Sequence, residues 1–335
     1  MTRATLGSFG GMDSRAAAWF GRRTTRWQDF PAAWLLARKA QLGVSVSVVI
    51  PARNEERTVA GVVGALRQAL MVDVPLVDEL VVMDSDSADA TAEVAARAGA
   101  VVHRTCQVAP GLGTCTGKGE ALWKSLLVTR GDLLVFVDAD LTEWGPHFVA
   151  GLLGPLLAEP EVQLVKGFYQ RALASADGTP SADGGRVTEL VARPLLSLWW
   201  PELAGMIQPL AGEWAARRDL MESLPIPVGY GVELAVLLDT AARCGLEAVA
   251  QVDLGRRGHR PQSTSDLAVM AAELLLVAER RRASGRTAQV GEARLHQFVP
   301  AGAGLRHRSR PVPARERPPV RSLAFGRAGS AGTAR

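Results

Sequence analysis

The sequence predicts an α/β protein with a doubly wound, mainly parallel sheet and a second, smaller lobe. Over residues 44–137, short apolar runs rich in β-branched residues alternate with helical patterns. Nearly continuous apolar strands separated by helices are typical of a parallel sheet that is covered on both faces. The length of 335 residues is sufficient for one large domain or two smaller ones.

The elements follow in order along the chain. Strands are predicted at 44–50, 80–83, 101–102 and 133–137, and helices at 56–70, 88–98 and 119–128. Beyond residue 150 the pattern is less regular, with helices predicted at 185–198, 231–244 and 264–282 and a strand at 248–254. The resulting organisation is an arm at 1–40, one folded domain at 41–300 with halves 41–150 and 151–300, and a tail at 303–335.

Composition places the chain among ordinary globular proteins, with 47% hydrophobic and 21% charged residues. Residues 306–335 contain eight Arg and one Glu, so the net charge of +4 belongs to this segment and is poor evidence for nucleic-acid binding by the folded part. The segment has few apolar side chains and is predicted to be disordered.

Cysteine usage and the hydropathy pattern bear on where the protein is found. Cys106, Cys115 and Cys244 form no CxxC pair, which argues against a disulfide framework or a zinc site and suits a reducing cytoplasm. No stretch reaches the roughly 18 apolar residues of a membrane span, and residues 1–26 do not have the pattern of a secretion signal.

The strongest local signal is VFVDADL at 135–141, where a buried strand ends in Asp138 and Asp140. Side chains at i and i+2 of an extended chain share a face, so the two carboxylates should converge at the ligand-binding edge of the sheet. Carboxylates this close favour a compensating cation, and Mg²⁺ suits one or two carboxylates completed by phosphate oxygens. The alternative is a strand-end turn with solvated Asp side chains.

Polar residues also follow the first two strands. Asn54 and Glu55 end the first strand, in place of the glycine-rich signature that a Rossmann dehydrogenase would carry there, and the sequence at 84–87 ends the second. These groups suit the hydroxyl and imide groups of a nucleoside. Each could instead cap a helix, and we favour that role for Asp86, Ser87 and Asp89.

Two further segments suggest anion sites. In TGKGE, at 116–120, a glycine-rich helix start with Lys118 suits a nucleotide phosphate, although the P-loop spacing fails and a plain turn is the alternative. At 184–189, two glycines precede Arg186 and Thr188, which could grip a phosphate or carboxylate or form an exposed loop. His259 lies in a basic run, where it could complete a metal site or be structural.

Taken together these segments resemble the glucosyl-3-phosphoglycerate synthase family of retaining glycosyltransferases with the GT-A fold. The stretches that carry the resemblance span about residues 45–260 in the expected order, with LHQFVP near 295 as the closing segment. They are SVVIPARNEE, VDELVVMDSDSADAT, GKGEALWKSL, VFVDADL, VQLVKGFYQR, GGRVTELVARPLL, QPLAGEWAARRDL, GYGVELAVLLDT and AQVDLGRRGHR. The resemblance implies that 151–300 forms the acceptor-binding half.

The resemblance also implies roles for individual residues. Residues expected to bind the sugar nucleotide are Pro51, Ala52, Arg53, Asn54, Glu55, Ser85, Lys118, Asp138, Ala139, Tyr230, Gly231, Val232, Glu233, Arg257, Gly258 and Arg260. Residues expected to bind the acceptor are Gly185, Arg186, Val187, Thr188 and Pro261. Asp140 and His259 are the expected ligands of Mg²⁺ or Mn²⁺, and the catalytic set is Lys118, Asp140, Glu233 and His259.

Two departures from the family pattern are visible. The family commonly has Asp-Ser-Asp where this chain has Asp138-Ala139-Asp140, which keeps both carboxylates. It has Asn two residues after the metal-binding His, where this chain has Pro261, which lacks a side-chain amide and a backbone donor. The second change concerns the geometry of the acceptor more than donor binding.

The activity implied by the resemblance is transfer of glucose from UDP-glucose to the 2-hydroxyl of 3-phosphoglycerate with retained anomeric configuration. Glu233 could act as a covalent nucleophile, or hydrogen-bond sugar hydroxyls, which we favour. Rival interpretations are a GDP-mannose-dependent mannosyl-3-phosphoglycerate synthase, an inverting transferase acting on a polyprenyl phosphate, and a sugar-nucleotide sensor without turnover. The family implies a homodimer, and a cytoplasmic enzyme without nucleic-acid partners is expected.

Overall fold

The computed structural model describes residues 11–171, 173–174, 180–181, 185–258, 263–282, 293–301 and 304–323. Its helices are α1 (Ser14–Arg23), α2 (Ala32–Leu42), α3 (Val59–Arg67), α4 (Thr91–Arg97), α5 (Lys118–Ser125), α6 (His147–Ala158), α7 (Arg193–Trp199), α8 (Arg218–Ser223), α9 (Val232–Cys244) and α10 (Thr264–Arg282). Its main-sheet strands are β1 (Thr24–Arg26), β2 (Val46–Ala52), β3 (Glu79–Asp84), β4 (Val101–Arg104), β5 (Leu133–Phe136), β6 (Leu164–Arg171), β9 (Trp214–Arg217) and β11 (Val249–Arg257). The remaining strands are β7 (Leu173–Ala174), β8 (Pro180–Ser181), β10 (Ile226–Pro227), β12 (Arg294–Ala301), β13 (Gly304–Pro311) and β14 (Glu316–Arg317).

The main sheet has the order β1-β11-β6-β9-β5-β2-β3-β4. Only β9 runs antiparallel to its neighbours, so the other seven strands end at the same edge. This confirms the predicted mainly parallel sheet. Since strands from both predicted halves belong to one hydrogen-bonded sheet, joined where β9 pairs with β5, the two halves share a core.

Side chains alternate along each strand, so they pack into two separate hydrophobic cores, one on each face of the sheet. In β5, Leu134 and Phe136 pack with helices α5 and α9, whereas Leu133 and Val135 pack with α3 and α6 on the opposite face. All four side chains are buried. Burial on both faces explains why the strands read as unbroken apolar runs rather than as alternating patterns.

The N-terminal segment is part of the fold, so the prediction of an arm separate from the folded domain is wrong for residues 14–40. Strand β1 extends the sheet beside β11. The Trp19 indole is fully buried and donates to the carbonyl of Val249 at 2.8 Å, and Leu35 of α2 is also fully buried. Burying side chains of this size stabilises the fold by roughly 1.5–3 kcal/mol each, which anchors residues 14–42 to the domain.

The C-terminal segment also departs from the prediction. Residues 304–311 form a hairpin with β12, and β14 pairs with β10. Arg317, which the composition places in a disordered tail, is 3% exposed and ion-paired with Glu120. Disorder is therefore wrong for residues 304–323, because charged side chains here find buried partners; residues 324–335 lie outside the described residues.

Candidate active site

A cavity of about 800 Å³ opens at the edge where the parallel strands end. The ends of β2, β3, β5 and β11 form its floor, the starts of α5 and α9 form one wall, and α10 and the end of β13 form another. The predicted site residues that line it are Pro51, Ala52, Arg53, Glu55, Ser85, Lys118, Asp138, Ala139, Asp140, Gly185, Arg186, Val187, Thr188, Tyr230, Glu233 and Arg257. A cavity of this volume can enclose a ligand the size of a sugar nucleotide.

Several predicted residues do not line the cavity. Asn54, Gly231, Val232 and Gly258 are described by the structure but are not among the residues that line it. The amide of Asn54 donates to Ser87 Oγ at 2.9 Å and its Oδ1 accepts from Ala88 N, so it joins two loops instead of facing a ligand. His259, Arg260 and Pro261 lie outside the described residues, and so does the predicted pairing of Asp140 with His259.

The side chains of the loop after β3 bond to other protein groups, but the predicted helix cap is not observed, since the N-cap residue of α4 is Ala90, whose side chain forms no capping hydrogen bond. Asp86 accepts from the Thr105 hydroxyl at 3.1 Å, and Asp89 accepts from the amide of Thr91 at 3.1 Å at the start of α4. Neither these side chains nor Ser87 lines the cavity. They shape the loop that presents Ser85.

The glycine-rich start of α5 has a different role from the predicted phosphate cradle. The amides of Gly119 and Glu120 donate to the carbonyls of Gly229 and Val228, at 3.1 and 2.9 Å. A Cβ at Gly119 would lie 1.8 Å from the carbonyl oxygen of Pro227. The glycines therefore bring two protein segments together, and two of the amides expected to be free for an anion are already occupied.

Lys118 lies between two carboxylates at the cavity floor. Its Nζ is 2.6 Å from Asp138 Oδ1 and 2.8 Å from Glu233 Oε1. Burial alone would lower the pKa of this ammonium, but Asp138 and then Glu233 outweigh burial and hold the pKa above its usual range. Lys118 is therefore a fixed positive charge at the point where β5 ends.

Arg257, at the end of β11, joins both carboxylates of the Asp-Ala-Asp sequence. Its Nη2 lies 3.2 Å from Asp138 Oδ2 and 3.4 Å from Asp140 Oδ1, and its Nη1 lies 3.3 Å from the buried Glu213. Burial raises the pKa of Asp138, but Lys118 and Arg257 together hold it well below its usual range. The predicted convergence of Asp138 and Asp140 is thus observed in the structure.

The charges at this site do not balance. Four carboxylates, those of Asp138, Asp140, Glu213 and Glu233, face the cations of Lys118 and Arg257, which leaves two excess negative charges when all six groups are ionised. Burial raises the pKa of Glu213, against the influence of Arg257. A proton on Glu213 would remove one of the two excess charges.

The donor set fits a divalent cation at Asp140. Its side chain is 35% exposed on the cavity, and its contact with Arg257 involves one carboxylate oxygen. Hard carboxylate oxygens beside an excess of negative charge suit Mg²⁺ or Mn²⁺. Within the described residues, no three His, Cys, Asp or Glu side chains converge on one point as a complete protein-only metal site requires, so other ligands would complete the shell.

The predicted acceptor segment borders the same cavity from the side of α10. Thr188 is 3% exposed and begins a π-helical turn that leads into α7. The Arg186 guanidinium is exposed and donates to the Thr264 hydroxyl at 3.3 Å. The structure therefore brings Arg186 and Thr188 to one cavity with Asp140 and Lys118.

Three buried charged residues at the site escaped the sequence analysis: Lys166, Glu213 and Glu273. Glu213 lies within the quoted stretch QPLAGEWAARRDL, but no local pattern distinguishes it. Lys166 interrupts an apolar strand, which is the only signal that could have drawn attention to it. Its ammonium is buried and donates to the carbonyl of Ala211 at 2.8 Å.

Lys166 should make stability rise with pH. Burial lowers the pKa of its ammonium to about 7, although Glu233 opposes this effect. Since the unfolded chain binds more protons than the folded chain between about pH 7 and pH 10.5, the free energy of unfolding rises across this window. Urea unfolding at several pH values should show the rise in the parent chain and a smaller rise in Lys166→Met. Parallel pH profiles for the two proteins would contradict this assignment.

Comparison with known proteins gives the family. The model of glycosyl transferase family 2 matches residues 47–183. The chain is 46% identical to the glucosyl-3-phosphoglycerate synthase of Petrotoga mobilis over 247 residues, which cover 74% of this chain and 76% of that protein. It is 45% identical to the synthase of Mycobacterium tuberculosis over 290 residues, or 85% and 87% of the two chains. The chain belongs to the glucosyl-3-phosphoglycerate synthase family.

Solved structures support this family and its GT-A architecture. The Mycobacterium tuberculosis glucosyl-3-phosphoglycerate synthase, in complex with Mn²⁺, UDP and phosphoglyceric acid, matches with a TM-score of 0.79 and 43% identity over 89% of this chain and 98% of that one. The mannosyl-3-phosphoglycerate synthase of Rubrobacter xylanophilus matches with a TM-score of 0.83 and 41% identity over 92% and 98%. Solved structures described as a glucosyl- and as a mannosyl-3-phosphoglycerate synthase therefore both share this fold. None of the described helices is both long and apolar enough to cross a membrane.

Proposed function

We propose that this chain transfers glucose from UDP-glucose to the 2-hydroxyl of 3-phosphoglycerate with retained configuration. One observation carries the proposal. A single cavity joins the ends of β2, β3 and β5, the charged cluster around Asp138 and Asp140, and the Arg186–Thr188 segment. Family membership supports the assignment, as do relatives described as bound to UDP-glucose or to phosphoglyceric acid.

The reaction breaks the bond between C1 of glucose and the diphosphate oxygen and forms a bond between C1 and the acceptor 2-oxygen. The acceptor proton passes to a diphosphate oxygen on the same face, and UDP leaves. Lys118, held between two carboxylates, is positioned to stabilise negative charge that grows on the leaving group. Preorganised charges of this kind lower the barrier by several kcal/mol.

Asp140, with His259, would hold a divalent cation, Mg²⁺ or Mn²⁺, that supplies Lewis-acid stabilisation of the diphosphate. Arg186 and Thr188 would orient the charged groups of the acceptor, and such positioning also contributes several kcal/mol. Pro51, Ala52, Arg53, Glu55 and Ser85 would contact the nucleoside. Glu233 Oε1 is already paired with Lys118 at 2.8 Å, which favours a hydrogen-bonding role at the sugar over a covalent nucleophile.

A second candidate donor is GDP-mannose. The neighbour named mannosyl-3-phosphoglycerate synthase has the higher TM-score of the two structures compared above, at nearly the same identity. The donor is therefore best assigned by direct competition.

The test is to incubate the purified chain with 3-phosphoglycerate and UDP-glucose or GDP-mannose, with Mg²⁺, with Mn²⁺ and with EDTA. The two sugar products have equal masses, so released UDP or GDP should be measured by chromatography and the product by NMR. We expect an α-glucosyl product, at a rate at least about tenfold above that with GDP-mannose, a difference of ~1.4 kcal/mol. An inverted product, or none with either donor, would overturn the proposal.

The resemblance also supports two further parts of this proposal: the enzyme is a homodimer, and it acts in the cytoplasm. Light scattering coupled to size-exclusion chromatography would measure the mass in solution. A monomeric mass at assay concentrations would remove the dimer from the proposal without affecting the reaction.

A further inference from the structure

The segment between β10 and α9 is held from outside by α10. Glu273 of α10 is 3% exposed, and its carboxylate accepts from the backbone amide of Tyr230 at 2.5 Å. The N-cap residue of α9 is Gly231, which has no side chain that could cap the helix. Glu273 therefore supplies, from another helix, an acceptor for the backbone that leads into α9.

The fit between Glu273 and this segment is close. A Cβ at Gly229 would lie 2.0 Å from Glu273 Oε2, and a Cβ at Gly231 would lie 2.6 Å from Val277 Cγ2, one turn further along α10. Any larger residue at either position would push the segment away from α10. The two glycines of Gly229-Tyr230-Gly231 are thus explained by packing against α10.

The same segment carries side chains of the active site. The Tyr230 ring is 47% exposed and lines the cavity, and Glu233 on the first turn of α9 pairs with Lys118. On its other side, the segment accepts two hydrogen bonds from the start of α5 through Val228 and Gly229. Glu273 is therefore one of two contacts that hold the backbone carrying Tyr230 and Glu233.

We propose that Glu273 is a positioning residue for the sugar-binding part of the site, fixing the 229–233 segment that faces the transferred hexose. This inference rests on the proposed function for the identity of the ligand. Glu273 does not touch the cluster of Asp138 and Asp140, so its effect should fall on the sugar and spare the nucleotide. Burying a charged carboxylate at this position is unfavourable for folding. Burial raises the pKa of Glu273 to about 7, and nearby Glu233 adds to the rise. The hydrogen bond from the Tyr230 amide offsets part of that cost.

The test compares Glu273→Ala and Glu273→Gln with the parent chain. Binding of UDP and of UDP-glucose would be measured by calorimetry with Mn²⁺, and amide hydrogen exchange would be followed across residues 226–240. In Glu273→Ala we expect UDP affinity to stay within about twofold, while UDP-glucose affinity and kcat/KM each fall about tenfold. Exchange at residues 229–233 should rise about tenfold, because the Tyr230 amide loses its acceptor and the segment is less restrained.

Glu279→Ala is the matched control, because Glu279 is exposed on the same helix and does not line the cavity. It should leave all three measurements unchanged. Should Glu273→Ala not fold, Glu273→Gln decides, since it keeps the volume and one acceptor oxygen and should give intermediate losses. The inference is overturned by unchanged exchange at 229–233 in the Ala variant, or by equal weakening of UDP and UDP-glucose. A wrong proposed function would show as absent turnover in the parent chain, with the exchange experiment still deciding the role of Glu273.

Discussion

Asp140→Ala is expected to reduce glucosyl transfer by about a thousandfold, the equivalent of several kcal/mol of lost leaving-group stabilisation. The side chain of Asp140 faces the cavity and shares its partner Arg257 with two further carboxylates, those of Asp138 and Glu213. Without its carboxylate the site loses its most exposed hard ligand. Product formation should be measured together with Mn²⁺ affinity by electron paramagnetic resonance, which we expect to weaken in parallel.

His259→Ala should also reduce glucosyl transfer and Mn²⁺ affinity if its imidazole binds the same cation as Asp140. Asp219→Ala is a suitable control, since this side chain is 86% exposed on α8 and forms its ion pair with the surface residue Arg321. Its substitution should leave transfer and Mn²⁺ affinity unchanged. Full activity of Asp140→Ala and His259→Ala in EDTA would rule out the cation-dependent mechanism.

Arg317→Ala is expected to destabilise the protein by about 3 kcal/mol. Arg317 Nε and Nη2 each lie 2.7 Å from an oxygen of Glu120, which is 1% exposed, and the guanidinium also donates to the carbonyls of Leu112 and Gly113. Removing the guanidinium leaves a buried carboxylate with only Lys124, at 3.6 Å, as a charged partner. That remaining partner is why we expect the lower end of the usual range of about 3–5 kcal/mol for breaking a buried pair.

Urea unfolding would measure this loss, and transfer should also fall because α5 begins at Lys118. Arg321→Ala is the matched control, as Arg321 is 49% exposed and its ion pair with Asp219 is at the surface. It should change stability by no more than about 0.5 kcal/mol. An unchanged midpoint in Arg317→Ala would show that the buried pair contributes nothing.

Arg317 illustrates what local sequence could not reveal. An Arg in a run of Pro, Ala and Arg has the composition of a solvated tail, and its partner Glu120 is 197 residues away. The same limit applies to Glu273, which reads as one polar position in a regular helix while its partners lie 43 residues earlier. The glycines at 117–119 were correctly identified as sites of close backbone approach, but the approaching group is the 227–229 backbone.

The sequence by itself determined the parallel sheet, the edge where the ligands collect, and the carboxylates and basic residues that meet there. Strand periodicity and the residues at strand ends are local properties, because each depends on only a few consecutive residues. Tertiary structure alone decided which charges pair, as with Lys118 between Asp138 and Glu233, and which segments clamp the site. Pairing of buried charges depends on distances between residues far apart in the chain, and desolvation makes the outcome depend on the whole surrounding core.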